Sequence, residues 1–226
     1  MTRSTNARLA GFTYLFYTAV GSTLHLLMNR ATNAEGIDAT LALIAAHASD
    51  VRVSVLLSLL ESFSALVLAV ALYGITRDQD HELAMLALVC RVCEGVIGAT
   101  IGVPVKLGLL WLAGAAAGPP DAATVHSLGA FLLMPVPSIP VGTIFFAVGS
   151  ALFSYLMLRG RMVPVPLAWF GVLASVLLVA VLPLQLADFL KDVWYLWIPM
   201  ALFQIVLALW LLIKGVAPVL SPADHS

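Results

Sequence analysis

The sequence predicts an all-α fold: a polytopic membrane helix bundle of about six transmembrane helices, both termini cytoplasmic, the fourth helix broken by prolines. Three observations predict it. Of 226 residues, 62% are hydrophobic and only 10% charged, and the mean hydropathy is +1.03, far from the balance of a soluble domain. The apolar residues gather into runs of about the 20 or more needed to cross a bilayer. Lys and Arg are distributed unequally between the connections.

The first run, 9–28, follows Arg3 and Arg8 and resembles a signal peptide, yet no small-residue cleavage site follows, so it is read as a retained span. The connection 29–50 carries ATLALIAAH, too short to cross and suited to a short helix lying on the interface. Runs 51–76 and 83–113 come next; the latter exceeds the membrane thickness and holds Pro104, so tilt or a kink must absorb the excess. The fourth, 125–158, contains MPVPSIP, in which three prolines remove backbone donors and predict a break. Runs 164–187 and 194–214 complete the set, and the tail SPADHS reads as a frayed end. The whole chain, 1–226, is expected to form one domain in the cell membrane.

Orientation follows from the basic residues at span ends. Arg3, Arg8, Arg77, Arg159, Arg161 and Lys214 fall on one side, and Arg30, Arg52 and Lys191 on the other. The richer side is placed in the cytoplasm. A net charge of −1 excludes the basic stripe that nucleic acid requires. No internal repeat supports an inverted-repeat transporter.

Polar residues at membrane depth are the informative ones. In the second run Ser54, Ser58 and Glu61 share one helical face, with Glu61 roughly 15 Å deep at about 1.5 Å per residue. In the third, CRVCEGVIG places Arg91 and Glu94 one turn apart at a similar depth. Arg91 is positioned to hold Glu94 ionised, which leaves Glu61 as the better candidate for a neutral acid; the alternative is a buried pair that only fixes helix register. Lys106 is expected to snorkel outward. Tyr14, Thr18, Ser22 and His25 form a polar stripe in the first run. Asp188 is flanked by apolar residues near the outer ends of the last two spans, beside an aromatic belt containing Trp194, Tyr195 and Trp197 with the solvated Asp192.

Cys90 and Cys93 have CxxC spacing, but a metal needs more ligands and a redox motif needs a helix N-terminus, so both read as packing residues. His25 and His126 read as solvated. No metal-binding, nucleotide-binding or hydrolase motif occurs, so no metal and no cofactor is expected.

ARLAGFTYLFYTAVG, VSVLLSLLESFSALVLAVALYGITR and LAMLALVCRVCEGVIG together resemble a family of small bacterial six-helix membrane proteins, largely of unknown function. That group stands close to the noncanonical membrane terpene cyclases of actinobacterial indole and diketopiperazine terpenoid pathways. The resemblance is strongest from residue 7 to about 98. It implies protonation of an alkene or epoxide on a prenylated substrate, with Glu61 as leading acid, Asp188 second, and Glu94 positioned by Arg91. Tyr14, Phe16, Phe63, Tyr73, Trp194 and Trp197 would offer π faces to a carbocation, with Ser58 and His25 as further substrate contacts. No DxDD motif of soluble cyclases is present. The expected partners are a lipophilic prenylated substrate and the bilayer, with the oligomeric state left open. The rival reading is a noncatalytic lipid- or small-molecule-binding protein or a proton-coupled transporter.

Overall fold

A computed structural model describes residues 2–114, 121–133, 141–190 and 194–217. Its helices are α1 (Arg3–Thr32), α2 (Ile37–Ala46), α3 (Ala48–Thr76), α4 (His81–Leu112), α5 (Ala122–Leu133), α6 (Val141–Arg159), α7 (Val165–Leu186) and α8 (Ile198–Ile213), the last preceded by a 3-10 turn, Trp194–Trp197. Five helical stretches among the described residues are long and apolar enough to cross a membrane: α3, α4, α6, α7, and α8 with its lead-in from Tyr195. The protein is therefore read as a multi-pass membrane protein. Helix α1 matches them in length but is diluted by Thr, Ser, Tyr and Asn.

Local chemistry sets the helix ends. Thr2 caps α1, accepting from the Thr5 amide at 3.2 Å, and Asp80 caps α4 through the Leu83 amide at 3.1 Å. Asp121 caps α5, bonding the Thr124 hydroxyl at 2.8 Å and the Thr124 and Ala123 amides at 3.1 Å. Those bonds, the Thr124 hydroxyl foremost, hold the Asp121 carboxyl below its ordinary range. Beyond α4 and α8 the chain turns at Gly114 and Gly215, with φ of 73° and 74°, as C-terminal glycines do.

The long helices close a ring in the order α1, α3, α4, α6, α7, α8 and back to α1. One end gathers the start of α1 with the α3–α4 and α6–α7 turns. There Arg3 Nε donates to the Ile75 carbonyl at 3.3 Å, Arg159 pairs with Asp80 at 3.1 Å, and the Ala217 amide donates to the Met162 carbonyl at 3.0 Å. At the other end Leu41 and Ile44 of α2 pack with Ala31, Val51, Leu109, Leu110 and Leu112. The short apolar helix expected on the interface is thus docked into the bundle, because it has a complementary apolar surface to bury.

Two helices are described within the run 125–158. Helix α5 ends at Leu133 and α6 begins at Val141; the proline segment 134–140 lies outside the described residues, as does the tail 218–226. At 12 residues, α5 is about 18 Å long, too short to cross. In α4, Pro104 removes one rung of the hydrogen-bond ladder.

Ring closure depends on Gly11. A Cβ there would lie 2.6 Å from the Ala208 carbonyl oxygen and 2.6 Å from the Leu212 amide nitrogen, so the backbones of α1 and α8 touch. Gly98, by contrast, has open space where its Cβ would be. Gly11→Val is expected to cost about 1–3 kcal/mol by overpacking and to lower the thermal unfolding midpoint in detergent. Gly98→Ala should leave that midpoint unchanged or raise it.

Candidate functional site

The site is built around Arg91, which has 0% of its surface exposed although it sits mid-way along a membrane helix. Its Nη1 lies 2.7 Å from Glu94 Oε2, one turn further along α4. Glu94 is itself only 8% exposed, and its other oxygen accepts the Tyr17 hydroxyl of α1 at 2.8 Å. The Arg91 Nε and Nη2 groups have no hydrogen-bond acceptor among the described residues. Aromatic faces take that place: the guanidinium carbon lies 4.8 Å from the Phe146 ring centre and 5.7 Å from that of Tyr17, which suits a cation with limited hydrogen bonding.

Glycines bring the helices close enough for this arrangement. A Cβ at Gly149 of α6 would lie 2.9 Å from Arg91 Cγ, so the arginine stem lies flat against α6. One at Gly95 would lie 3.1 Å from the Ser62 carbonyl oxygen. That contact brings the turn of α3 carrying Glu61 to the level of Glu94. One at Gly142 would lie 3.2 Å from the Glu94 carbonyl oxygen, so α6 begins at the depth of the ion pair.

Glu61 differs from Glu94 in its partners. Its side chain is half-buried, and its Oε1 lies 2.6 Å from where a Cβ of Gly21 would stand, so the carboxyl in this position uses the space that glycine leaves on α1. Among the described residues Glu61 forms no ion pair within 4 Å. It is close enough to feel the charges of Glu94 and Lys106. Lys106 turns inward, contrary to the expectation that it snorkels outward. Its Nζ donates to the Gly102 carbonyl at 3.4 Å, one turn back towards the bundle middle, as the tilt of helical side chains towards the N-terminus favours.

The other candidate residues divide. Tyr14 is buried beside the ion pair, and the Trp197 ring stands 6.2 Å from that of Phe146. Ser58 is buried, but its hydroxyl donates to its own helix at the Ser54 carbonyl, 2.8 Å away. Phe63 is 64% exposed on the outer face, and Phe16 is exposed and stacked on Phe12 at 6.1 Å. His25 and Ser22 are exposed, so the stripe begun by Tyr14 does not continue inward. Tyr73 lies at the α3–α4 turn, its hydroxyl 3.3 Å from His81 Nδ1, about 18 Å along α3 from Glu61.

Asp188 is exposed in the turn after α7 with φ of 60°. Its amide donates to the Gln185 carbonyl at 3.0 Å, so it ends the helix in a conformation that Asp tolerates well. That placement takes it out of the buried cluster. The Trp194 side chain and Asp192 lie outside the described residues. Cys90 and Cys93 are free, and among the described residues no three His, Cys, Asp or Glu side chains gather as a metal site. Tyr17 and Phe146 are the residues sequence reasoning missed. For Tyr17 a signal existed, since Tyr14, Tyr17 and Gly21 recur at three and four residues on one face of α1.

Residues 9–215 match a family model described as a domain of unknown function, DUF4386. No curated protein matches the chain, and no solved structure does.

Removing one member of a buried pair strands the other. Arg91→Met is therefore expected to destabilise the bundle by about 3–5 kcal/mol, and the double variant Arg91→Met, Glu94→Gln to recover most of that loss. Tyr17→Phe should cost about 1.5–3 kcal/mol, as the loss of a hydrogen bond to a charged acceptor does. Chemical unfolding of the purified protein in mixed micelles measures all three.

Proposed function

We infer that this chain, which belongs to the DUF4386 family, is a membrane-embedded terpene cyclase acting as an acid catalyst on a prenylated substrate. The observation that carries this reading is the contrast between two neighbouring carboxyls. Glu94 is committed to Arg91 and Tyr17, whereas Glu61 faces the same interior without a counter-ion within 4 Å among the described residues. Neighbouring carboxyls in unlike surroundings can divide acid and anion roles between them.

In the proposed reaction Glu61 gives its proton to one carbon of an alkene, or to an epoxide oxygen. With an alkene, the π pair forms the new C–H bond and leaves a cation on the adjacent carbon. The π pair of a second alkene closes the ring, and the C–H pair of a neighbouring carbon becomes a new π bond as its proton passes to water, from which the Glu61 carboxylate is reprotonated. The net change is an isomerisation, with no electron donor or acceptor. Tyr14 and Trp197 supply aromatic faces that stabilise the cation, while Arg91, held against Tyr17 and Phe146, fixes Glu94 beside them. A lipophilic substrate reaches such a site from the bilayer. The resemblance to the membrane terpene cyclases supports the same reaction class.

Lys106 favours a second reading. A lysine turned inward opposite a carboxyl also suits a protein that binds an anionic headgroup or couples transport to a proton, with no chemistry.

For membrane placement, we propose six crossings, with α1 joining the five more apolar helices, both termini on the cytoplasmic side, and the bacterial plasma membrane as location. Helix α1 packs along α3, and basic residues crowd the end that holds both termini. In a variant lacking Cys90 and Cys93, a membrane-impermeant thiol reagent applied to whole cells should label Glu35→Cys and spare Asp78→Cys. The reverse pattern would invert the orientation.

The catalytic test uses purified protein, farnesylated and geranylated indoles or diketopiperazines, and deuterated buffer, read by mass spectrometry. A cyclised product with one deuterium on carbon is expected after alkene protonation. Glu61→Gln should reduce turnover by about 10²–10⁴ while the protein still folds, and Asp188→Asn should leave it unchanged. Undiminished turnover in Glu61→Gln would remove Glu61 from the acid role. Saturable proton-coupled flux in vesicles without product would favour the second reading.

A further inference from the structure

We propose that the cavity at the α2–α5 end of the bundle seats the hydrocarbon chain of the ligand whose reactive end lies at Glu61. The inference rests on the acid-site reading above and deepens it by assigning the tail.

The cavity has a volume of about 540 Å³, within the range of about 300–1,000 Å³ usual for small-molecule sites. Its walls include Met28 of α1, Ile37 of α2, Val105 and Leu109 of α4, and Leu132 of α5. The turn that forms one side depends on Gly36, whose φ of 88° favours glycine. Among the described residues no charged side chain lines it, and the two hydroxyl protons there are already used. Thr32 donates to the Met28 carbonyl at 2.8 Å and Thr40 to the Gly36 carbonyl at 2.8 Å. A polar ligand would find no side-chain donor free among these residues, a cost that a hydrocarbon does not incur. By volume the space equals roughly eighteen waters at about 30 Å³ each, enough for a chain with a comparable order of carbons.

One wall of the cavity leads towards the acid site. The Met28 sulfur lies 3.1 Å from the Ser54 hydroxyl, which also donates to the Val51 carbonyl at 2.7 Å. Ser54 begins the face of α3 that leads through Ser58 to Glu61, roughly 10 Å further in. On the opposite wall, Lys106 follows Val105 and directs its ammonium inward, where it feels Glu61. A chain with its tail among Met28, Ile37 and Leu109 that extends roughly 10 Å further along α3 reaches the level of Glu61.

The test uses the full-length protein in phosphatidylcholine nanodiscs and fatty alcohols of octanol, dodecanol and hexadecanol length carrying a terminal diazirine. After irradiation, labelled peptides are identified by mass spectrometry. Saturable labelling by the longer probes is expected in the stretches around Met28–Ile37 and Val105–Leu109, competed by unlabelled hexadecanol. It should be lost in Ile37→Trp and in Val105→Trp, either of which fills the space, with folding followed by the thermal midpoint. Glu61→Gln should label as the parent does, so an inactive but labelled variant separates the tail seat from the acid role. Labelling that does not saturate, that matches the lipid-facing stretch around Phe63 and Val70, or that survives in both folded tryptophan variants would overturn the proposal.

Discussion

The architecture depends on one uncomfortable requirement: a guanidinium with 0% exposure must be stabilised without water. The charge is matched by Glu94, and the unbonded N–H groups face aromatic rings instead of carbonyls. Each solution recruits a different helix. Glu94 is local to α4, Tyr17 comes from α1, and Phe146 with the recess at Gly149 comes from α6. The pair therefore works as a register pin for three members of the ring. Its Coulomb attraction offsets a desolvation penalty of similar size, so its value lies in specifying which faces meet more than in net stability.

Glu61 gains its character from the same arrangement by exclusion. Because Arg91 is spent on Glu94, the second carboxyl is left facing the interior with only distant charges. The glycine opposite it, Gly21, leaves space without providing a partner. The Glu61 carboxyl and the Arg91–Glu94 ion pair thus occupy one depth on adjacent helices, and both are placed by residues of α1, α3, α4 and α6.

Membrane class, the apolar spans and the shared depth of Glu61 and Glu94 were legible because they follow from run length and rise per residue. The inward or outward direction of the aromatics was not. In a soluble protein a Phe at the right spacing points to the core, but lipid is as apolar as a packed interior. Phe63 and Phe16 therefore carry no signal that distinguishes lining from lipid contact, and both face out. Asp188 misled for a related reason: apolar neighbours suggested depth, whereas they surround a helix end where the acid adopts a left-handed turn. Periodicity placed Tyr14 and His25 on one stripe but could not say which neighbouring helix covers each level. The docking of α2 was not readable either, since it depends on a surface that α4 and α5 build later in the chain.

The contact of Gly11 with Ala208 and Leu212 has a consequence for biosynthesis. It joins α1 to α8, so the ring cannot close until α8 has left the ribosome. Until then the small-residue face of α1 meets lipid or a helper protein, while the Tyr17, Arg91 and Glu94 cluster needs only elements up to α6. The interior is thus specified before the wall around it is complete, and α8 seals that wall.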